Sequence, residues 1–114
     1  IAKLMLNAGL VCIGAFIAPY EDDRNRVRDI VGGNNYFEIF VDTPLEACEA
    51  RDIKGLYAKA RRGEIKDFTG ISAPYERPSC ANIVIDTENT SIDKAVTLVY
   101  NAILERIKSL NGER

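Results

Sequence analysis

The sequence predicts an α/β fold built on a parallel sheet, and three observations carry that prediction. Leu10–Ile17 (LVCIGAFI) is apolar at nearly every position, as in a strand covered on both faces rather than one that alternates. Two later runs, Tyr36–Val41 and Asn82–Asp86, are short and β-rich. Helical patterns separate the three, and strands that alternate with helices imply parallel pairing through right-handed crossovers.

Ile1, Leu4, Met5 and Ala8 recur at helical spacing, with Gly9 at the place of a left-handed cap. No Ser, Thr, Asp or Asn precedes this helix, as is expected of a chain that continues upstream. Pro19 ends the first apolar run, and Glu21, Asp22 and Asp23 open a helix that later carries Arg24, Arg26 and Arg28. Acids first and bases later suit the helix dipole, and Gly32-Gly33 stops the helix. After the second strand, Thr43-Pro44-Leu45-Glu46 has the form of a capping box with proline at the first helical position. A short basic helix over residues 55–62 ends at Gly63, and Lys66–Pro78, rich in Thr, Gly, Ser and Pro, is expected to be loop. Ser91 or Thr90 is placed to cap the last helix. Its predicted core face is Ile92, Val96, Val99, Tyr100, Ile103, Leu104 and Ile107. Glu113 and Arg114 are expected to fray.

The 114 residues suffice for one small domain over 1–114, and 46% hydrophobic with 28% charged residues is an ordinary globular balance. A net charge of −2 gives no bulk attraction to nucleic acid. The longest apolar run, Leu10–Ala18, falls well short of the roughly 18 residues that a membrane-crossing helix needs. Asn7 and Gly9 break the opening stretch, which argues against a signal peptide. Three dispersed cysteines (Cys12, Cys48, Cys80) and no histidine exclude a Cys/His zinc site or nucleophile pair. The odd count suits a reducing, cytoplasmic setting. Without histidine, any chemistry falls to carboxylates, lysines, arginines and backbone amides.

Six of the sixteen residues from Arg51 to Lys66 are basic: Arg51, Lys54, Lys59, Arg61, Arg62 and Lys66. Such a segment is either a solvated basic face or a cationic cover for an anionic substrate. Composition alone favours the former. Likewise Phe68, the aromatic after the basic helix, reads first as a core plug and second as a platform for a purine. Asp42, at a strand end, is more readily an organiser of the Thr43-Pro44 turn than a metal ligand.

Three stretches resemble the adenylylsulfate kinase (APS kinase) family: Ala8–Cys12 through Phe16–Tyr20; Phe40–Asp52 (FVDTPLEACEARD); and Lys54–Lys66 (KGLYAKARRGEIK) with Asp67–Ile71 (DFTGI). The third is the most specific. The resemblance implies a P-loop kinase fold with a five-stranded parallel sheet, of which this chain carries about three strands and a basic lid over about 51–70. It also implies transfer of the ATP γ-phosphoryl group to the 3′-hydroxyl of adenosine 5′-phosphosulfate (APS) in cytoplasmic sulfate assimilation. Two family motifs are missing from this sequence: the G-x-x-x-x-G-K-[ST] phosphate loop and an Asp-Gly-Asp-Asn-x-Arg segment with the catalytic aspartate. No catalytic residue and no metal ligand is therefore assigned here. The ligands of the implied Mg²⁺ are expected in the half not represented, and this chain alone is expected to be inactive.

By resemblance, Arg51 and Lys54 support the lid. Ile17, Ala18, Lys54, Asp67 and Phe68 contact APS, and the backbone at Thr90 walls the ATP adenine. The family pair at positions 17–18 is usually Ile-Ser, so Ala18 lacks a hydroxyl. Arg24 matches a family arginine and is read as structural. In related kinases the phosphate-loop strand lies between the strands matching Leu10–Ile17 and Tyr36–Val41, so both are expected to show open edges. The missing half is expected to be disordered, cleaved, a separate chain or replaced by a partner's strand, and a homodimer is a family expectation. Two other functions compete: a non-catalytic APS- or nucleotide-binding module that regulates a sulfurylase, and another P-loop small-molecule kinase.

Overall fold

The computed structural model describes residues 1–112; the expected fraying of Glu113 and Arg114 lies outside them. The order is α1 (Ala2–Asn7), α2 (Glu21–Val31), a 3₁₀ turn (Gly33–Asn35), β1 (Ile39–Asp42), α3 (Leu45–Arg51), α4 (Leu56–Arg61), β2 (Ile83–Asp86) and α5 (Ile92–Leu110). This is an α/β arrangement whose sheet is parallel, with Ile39 opposite Ile83 and Asp42 opposite Asp86. The ladder is extended at its start, where the Glu38 amide donates to Asn82 Oδ1 (2.7 Å). At its end the Thr87 amide donates to the Asp42 carbonyl (3.1 Å).

The helix signals are mostly realised. Glu21, Asp22 and Asp23 occupy the first turn of α2 and Arg28 its last. Ser91 caps α5, its hydroxyl accepting from the Lys94 amide (3.3 Å). The expected capping box at α3 does not form. Pro44 takes the N-cap position with no side-chain bond, because the Thr43 hydroxyl is engaged instead with Thr87 Oγ1 across the sheet end (2.5 Å).

The sheet corrects the expectation of three strands: two are paired, and Leu10–Ile17 runs unpaired. Among the described residues, no backbone hydrogen bond ties Val11–Ile17 to another element. A ladder needs a neighbour, and a groove of about 250 Å³ lies where one would run. It is lined by Leu10–Gly14 and Ile39, with Phe37, Ile103 and Ile107 behind. Ile13 and Phe16 are each 87% exposed.

The predicted face of α5 is only half covered for the same reason. Val99, Ile103 and Ile107 are partly buried, whereas Ile92, Val96 and Tyr100 lie open. Val41 and Val84, one on each face of the sheet, are also bare, although parallel sheets are ordinarily covered on both sides. The buried apolar residues are Phe40, Ala60 and Ile85. The accessible surface is 8700 Å², against about 6,200 Å² for a compact monomer of this mass. The radius of gyration is 16.4 Å, against about 13 Å for a compact chain of this length. The molecule therefore presents an apolar flank beside β1 and along α5. No helix is long and apolar enough to cross a membrane among the described residues.

Candidate functional site

At the carboxyl end of β1, where ligands collect in open α/β sheets, lies a cavity of about 620 Å³. Its sheet side is Phe40, Val41 and Asp42; its lid side is Tyr57, Ile65, Lys66, Asp67 and Phe68; Ile17, Tyr75 and Arg77 close it.

The lid is held by a device not visible as a motif. Asp52, with φ +21°, ends α3 and turns its carboxylate onto the start of α4. Its Oδ1 accepts from the Tyr57 amide (3.0 Å) and its Oδ2 from the Ala58 amide (3.1 Å). Two of the helix's orphan donors are thereby satisfied by a residue that precedes the Lys54-Gly55 turn. Gly55 takes φ +67°, a conformation that costs glycine little. Tyr57 then meets Phe68 edge-to-face, with ring centroids 5.0 Å apart. The following turn is closed by the Phe68 amide donating to Ser72 Oγ (2.8 Å) and by Gly70 at φ +89°. Asp67 sits at φ +52°, in the left-handed region that Asp tolerates better than most residues.

The opposite wall is aromatic and cationic. Phe40 stacks with Tyr75 at 6.1 Å, and the Arg77 guanidinium lies 4.9 Å from the Phe40 ring centroid. Asp42 grips that guanidinium through both oxygens, at 2.9 and 2.8 Å. These hydrogen bonds hold the Asp42 carboxyl below its ordinary range. Burial raises the Tyr57 and Tyr75 phenols, so both rings are neutral at pH 7.

Much of the lid's positive charge is spent internally: Arg61 pairs with Glu49 (2.6 Å) and Arg62 with Glu64 (2.7 Å). Lys66 has no acidic partner among the described residues, and it lines the cavity. The cavity thus offers an aromatic surface at Phe68 and, at Lys66, a cation available to an anionic group, whereas Arg77 is already paired with Asp42.

Of the candidates, Ile17, Asp67 and Phe68 come together at this cavity, and Ala18 lies in the adjoining turn.

 Ala18 is half-buried with φ +43°, and its carbonyl accepts from Arg24 (2.5 Å). Lys54 is exposed on the turn between α3 and α4, and it is not part of the cavity lining. Arg51 reaches away from the lid to Thr87, donating to its carbonyl and its hydroxyl, both at 3.1 Å. Thr90 is half-buried just before the cap of α5 and also lies outside the lining. Asp42 is occupied by Arg77 rather than by the Thr43-Pro44 turn. No group of three or more His, Cys, Asp or Glu side chains that could hold a metal occurs among the described residues. Tyr57, Tyr75 and Arg77 are not singled out by the sequence. All three reach the cavity through contacts between segments distant in the chain, for which no local pattern exists; Cys48 joins them from the first turns of α3.

The chain is similar to known proteins over most of its length. The family model described as adenylylsulphate kinase matches residues 1–86. An adenylyl-sulfate kinase of Oceanobacillus iheyensis is 50% identical over 106 residues, which cover 93% of this chain and 53% of that protein. One from Shewanella pealeana is 51% identical over 111 residues, covering 96% and 54%. Among solved structures, the Mycobacterium tuberculosis APS kinase CysC in complex with AMPPNP and APS is similar with a TM-score of 0.73 at 43% identity, over 77% of this chain and 51% of that one. The crystal structure of APE1195 is similar with a TM-score of 0.81 at 42% identity, covering 91% and 59%. The chain spans about half the length of the curated relatives it matches.

Proposed function

The chain belongs to the adenylylsulphate kinase family, and from that premise we propose that it forms the acceptor side of an APS kinase. In that reaction the ATP γ-phosphoryl group passes to the 3′-hydroxyl of APS, giving ADP and 3′-phosphoadenylylsulfate in cytoplasmic sulfate assimilation. The observation that carries this reading is the cavity at the end of β1, whose lining brings Phe68 together with Lys66 and Arg77. The APS bound to the M. tuberculosis relative supports it.

Phosphoryl transfer depends chiefly on positioning and on stabilising charge. In this reading Phe68 stacks on the adenine of APS, Ile17, Ala18 and the Asp67 backbone bound the nucleoside, and Lys66 and Arg77 face the phosphosulfate. Lys54 and Arg51 act from outside the cavity, Lys54 by closing toward the anionic tail as the lid moves and Arg51 by tying the lid's base to the end of β2. The Thr90 backbone borders the ATP adenine. ATP is the co-substrate, and Mg²⁺ is its expected companion. The described residues hold no cluster suited to that ion, so no step is assigned to it here. The phosphate-binding loop and the catalytic aspartate belong to the half of the relatives that this chain does not span. A strand from that half, in the same chain or a partner, fits the groove between Leu10–Gly14 and Ile39, and a homodimer is a further arrangement.

The test is a chimera in which this chain replaces the matching half of the O. iheyensis kinase. With ATP, Mg²⁺ and APS it is expected to form 3′-phosphoadenylylsulfate. A folded chimera that binds APS but transfers nothing would favour the non-catalytic module, and transfer to gluconate or shikimate in place of APS would favour another small-molecule kinase.

A further inference from the structure

Arg24 is the charged residue buried in this chain among those described, at 7% exposure. Burying a guanidinium is costly, and an apolar side chain of similar size often serves packing as well or better. What distinguishes Arg24 is the pair of groups it holds. Its Nη1 donates to the Ala18 carbonyl (2.5 Å) and its Nη2 to the Glu76 carbonyl (2.7 Å). Glu38 balances the charge at 3.9 Å, and the Tyr75 ring centroid lies 5.9 Å from the guanidinium carbon. The two segments are also joined directly, the Glu76 amide donating to the Pro19 carbonyl (2.8 Å).

Each carbonyl that Arg24 holds sits beside cavity wall. Ile17 adjoins Ala18, and Tyr75 and Arg77 flank Glu76; all three line the cavity. Ala18 is, moreover, in the left-handed region at φ +43°. A non-glycine residue persists there only where its surroundings hold it.

We propose that Arg24 is a positioning residue for the ligand cavity: by holding the carbonyls of Ala18 and Glu76 with one planar fork, it fixes the Ile17 wall against the Tyr75–Arg77 wall. The inference rests on the cavity's being the APS site. A lysine in its place keeps the charge but is a point donor without the fork.

The experiment is a titration of the chain with APS, followed by methyl NMR of labelled isoleucines. Ile17 and Ile65 line the cavity from different segments and report its two sides separately. In Arg24→Lys, APS affinity is expected to fall about tenfold, because a point donor cannot hold both carbonyls in one plane. At saturating APS the Ile17 methyl shift is expected to be lost while that of Ile65 persists. Adding Ala18→Gly to this variant should restore the Ile17 response, because glycine takes positive φ without steric cost. A second variant leaves Arg24 in place: Ala18→Val puts a β-branched residue where positive φ is strongly disfavoured and should abolish the Ile17 response alone. The proposal is overturned if either single variant binds APS within twofold of the unsubstituted chain with its Ile17 shift intact. It is also overturned if Ile17 and Ile65 lose their responses together, which is what a general loss of stability would do. No APS-induced shift at either methyl in the unsubstituted chain would overturn the APS-site reading, and this inference with it.

Discussion

Replacing Asp52 with alanine should loosen the lid while leaving the sheet untouched. The Asp52 carboxylate accepts from the Tyr57 and Ala58 amides at 3.0 and 3.1 Å, and α4 has only six residues. Isolated helices that short are unstable in water, so α4 depends on its cap and its packing. Removing a capping side chain costs about 1 kcal/mol and up to about 2. That corresponds to a roughly five- to thirtyfold increase in the opening equilibrium. The assay is native-state hydrogen exchange at the Tyr57 and Ala58 amides, with the Ile85 amide in β2 as the control. Asp52→Asn, which keeps a capping oxygen, should show a smaller increase. Because Tyr57 meets Phe68 at 5.0 Å, Asp52→Ala should also weaken APS binding. Unchanged exchange at Tyr57 and Ala58 would refute the capping role. An equal rise at Ile85 would refute its local character.

Phe68→Ala should reduce APS affinity by about 1–3 kcal/mol, the usual worth of base–aromatic stacking, with Phe68→Tyr close to the parent by calorimetry. On the acid side, the Asp42, Glu49 and Glu64 carboxyls are each held low, chiefly by hydrogen bonds from Arg77, Arg61 and Arg62. Carboxyls with depressed folded pKa values contribute stability above their unfolded values of 3.8 and 4.5 and lose it as pH falls through the lower folded values. The melting temperature should therefore be flat from neutrality to about pH 5 and fall below about pH 4, with added salt shrinking the change because these pairs are exposed. On the alkaline side, burial, helped by the hydrogen bond to Glu38, raises the Tyr36 phenol to about 12. Its contribution is present below pH 10, its unfolded value, and is lost as pH rises through about 12. Ultraviolet titration should show one phenol ionising last, together with unfolding.

Helices were the most legible part of the sequence, because their signals are local. The acidic opening and Gly-Gly close of α2, the Ser91 cap and the period of α5 all lie within a few residues of what they specify. Thr43 misled, since its hydroxyl had a better partner in Thr87, on a strand end far along the chain. The cap that does operate, Asp52, lies three residues before the Gly55 turn and matches no standard spacing. Leu10–Ile17 has the composition of a buried strand, but composition cannot supply the neighbour that makes it one. The same gap explains why half of α5's apolar face is bare. At the site, Phe68 and Asp67 were found through the resemblance, whereas Arg77 and Tyr75 depend on through-space pairing with Asp42 and Phe40.

The uncovered flank beside β1 has a consequence for the life of the molecule in a cell. A polypeptide with that much oily surface is a natural client for chaperones and for degradation. Whatever seals the flank, in the same chain or in another, removes that liability.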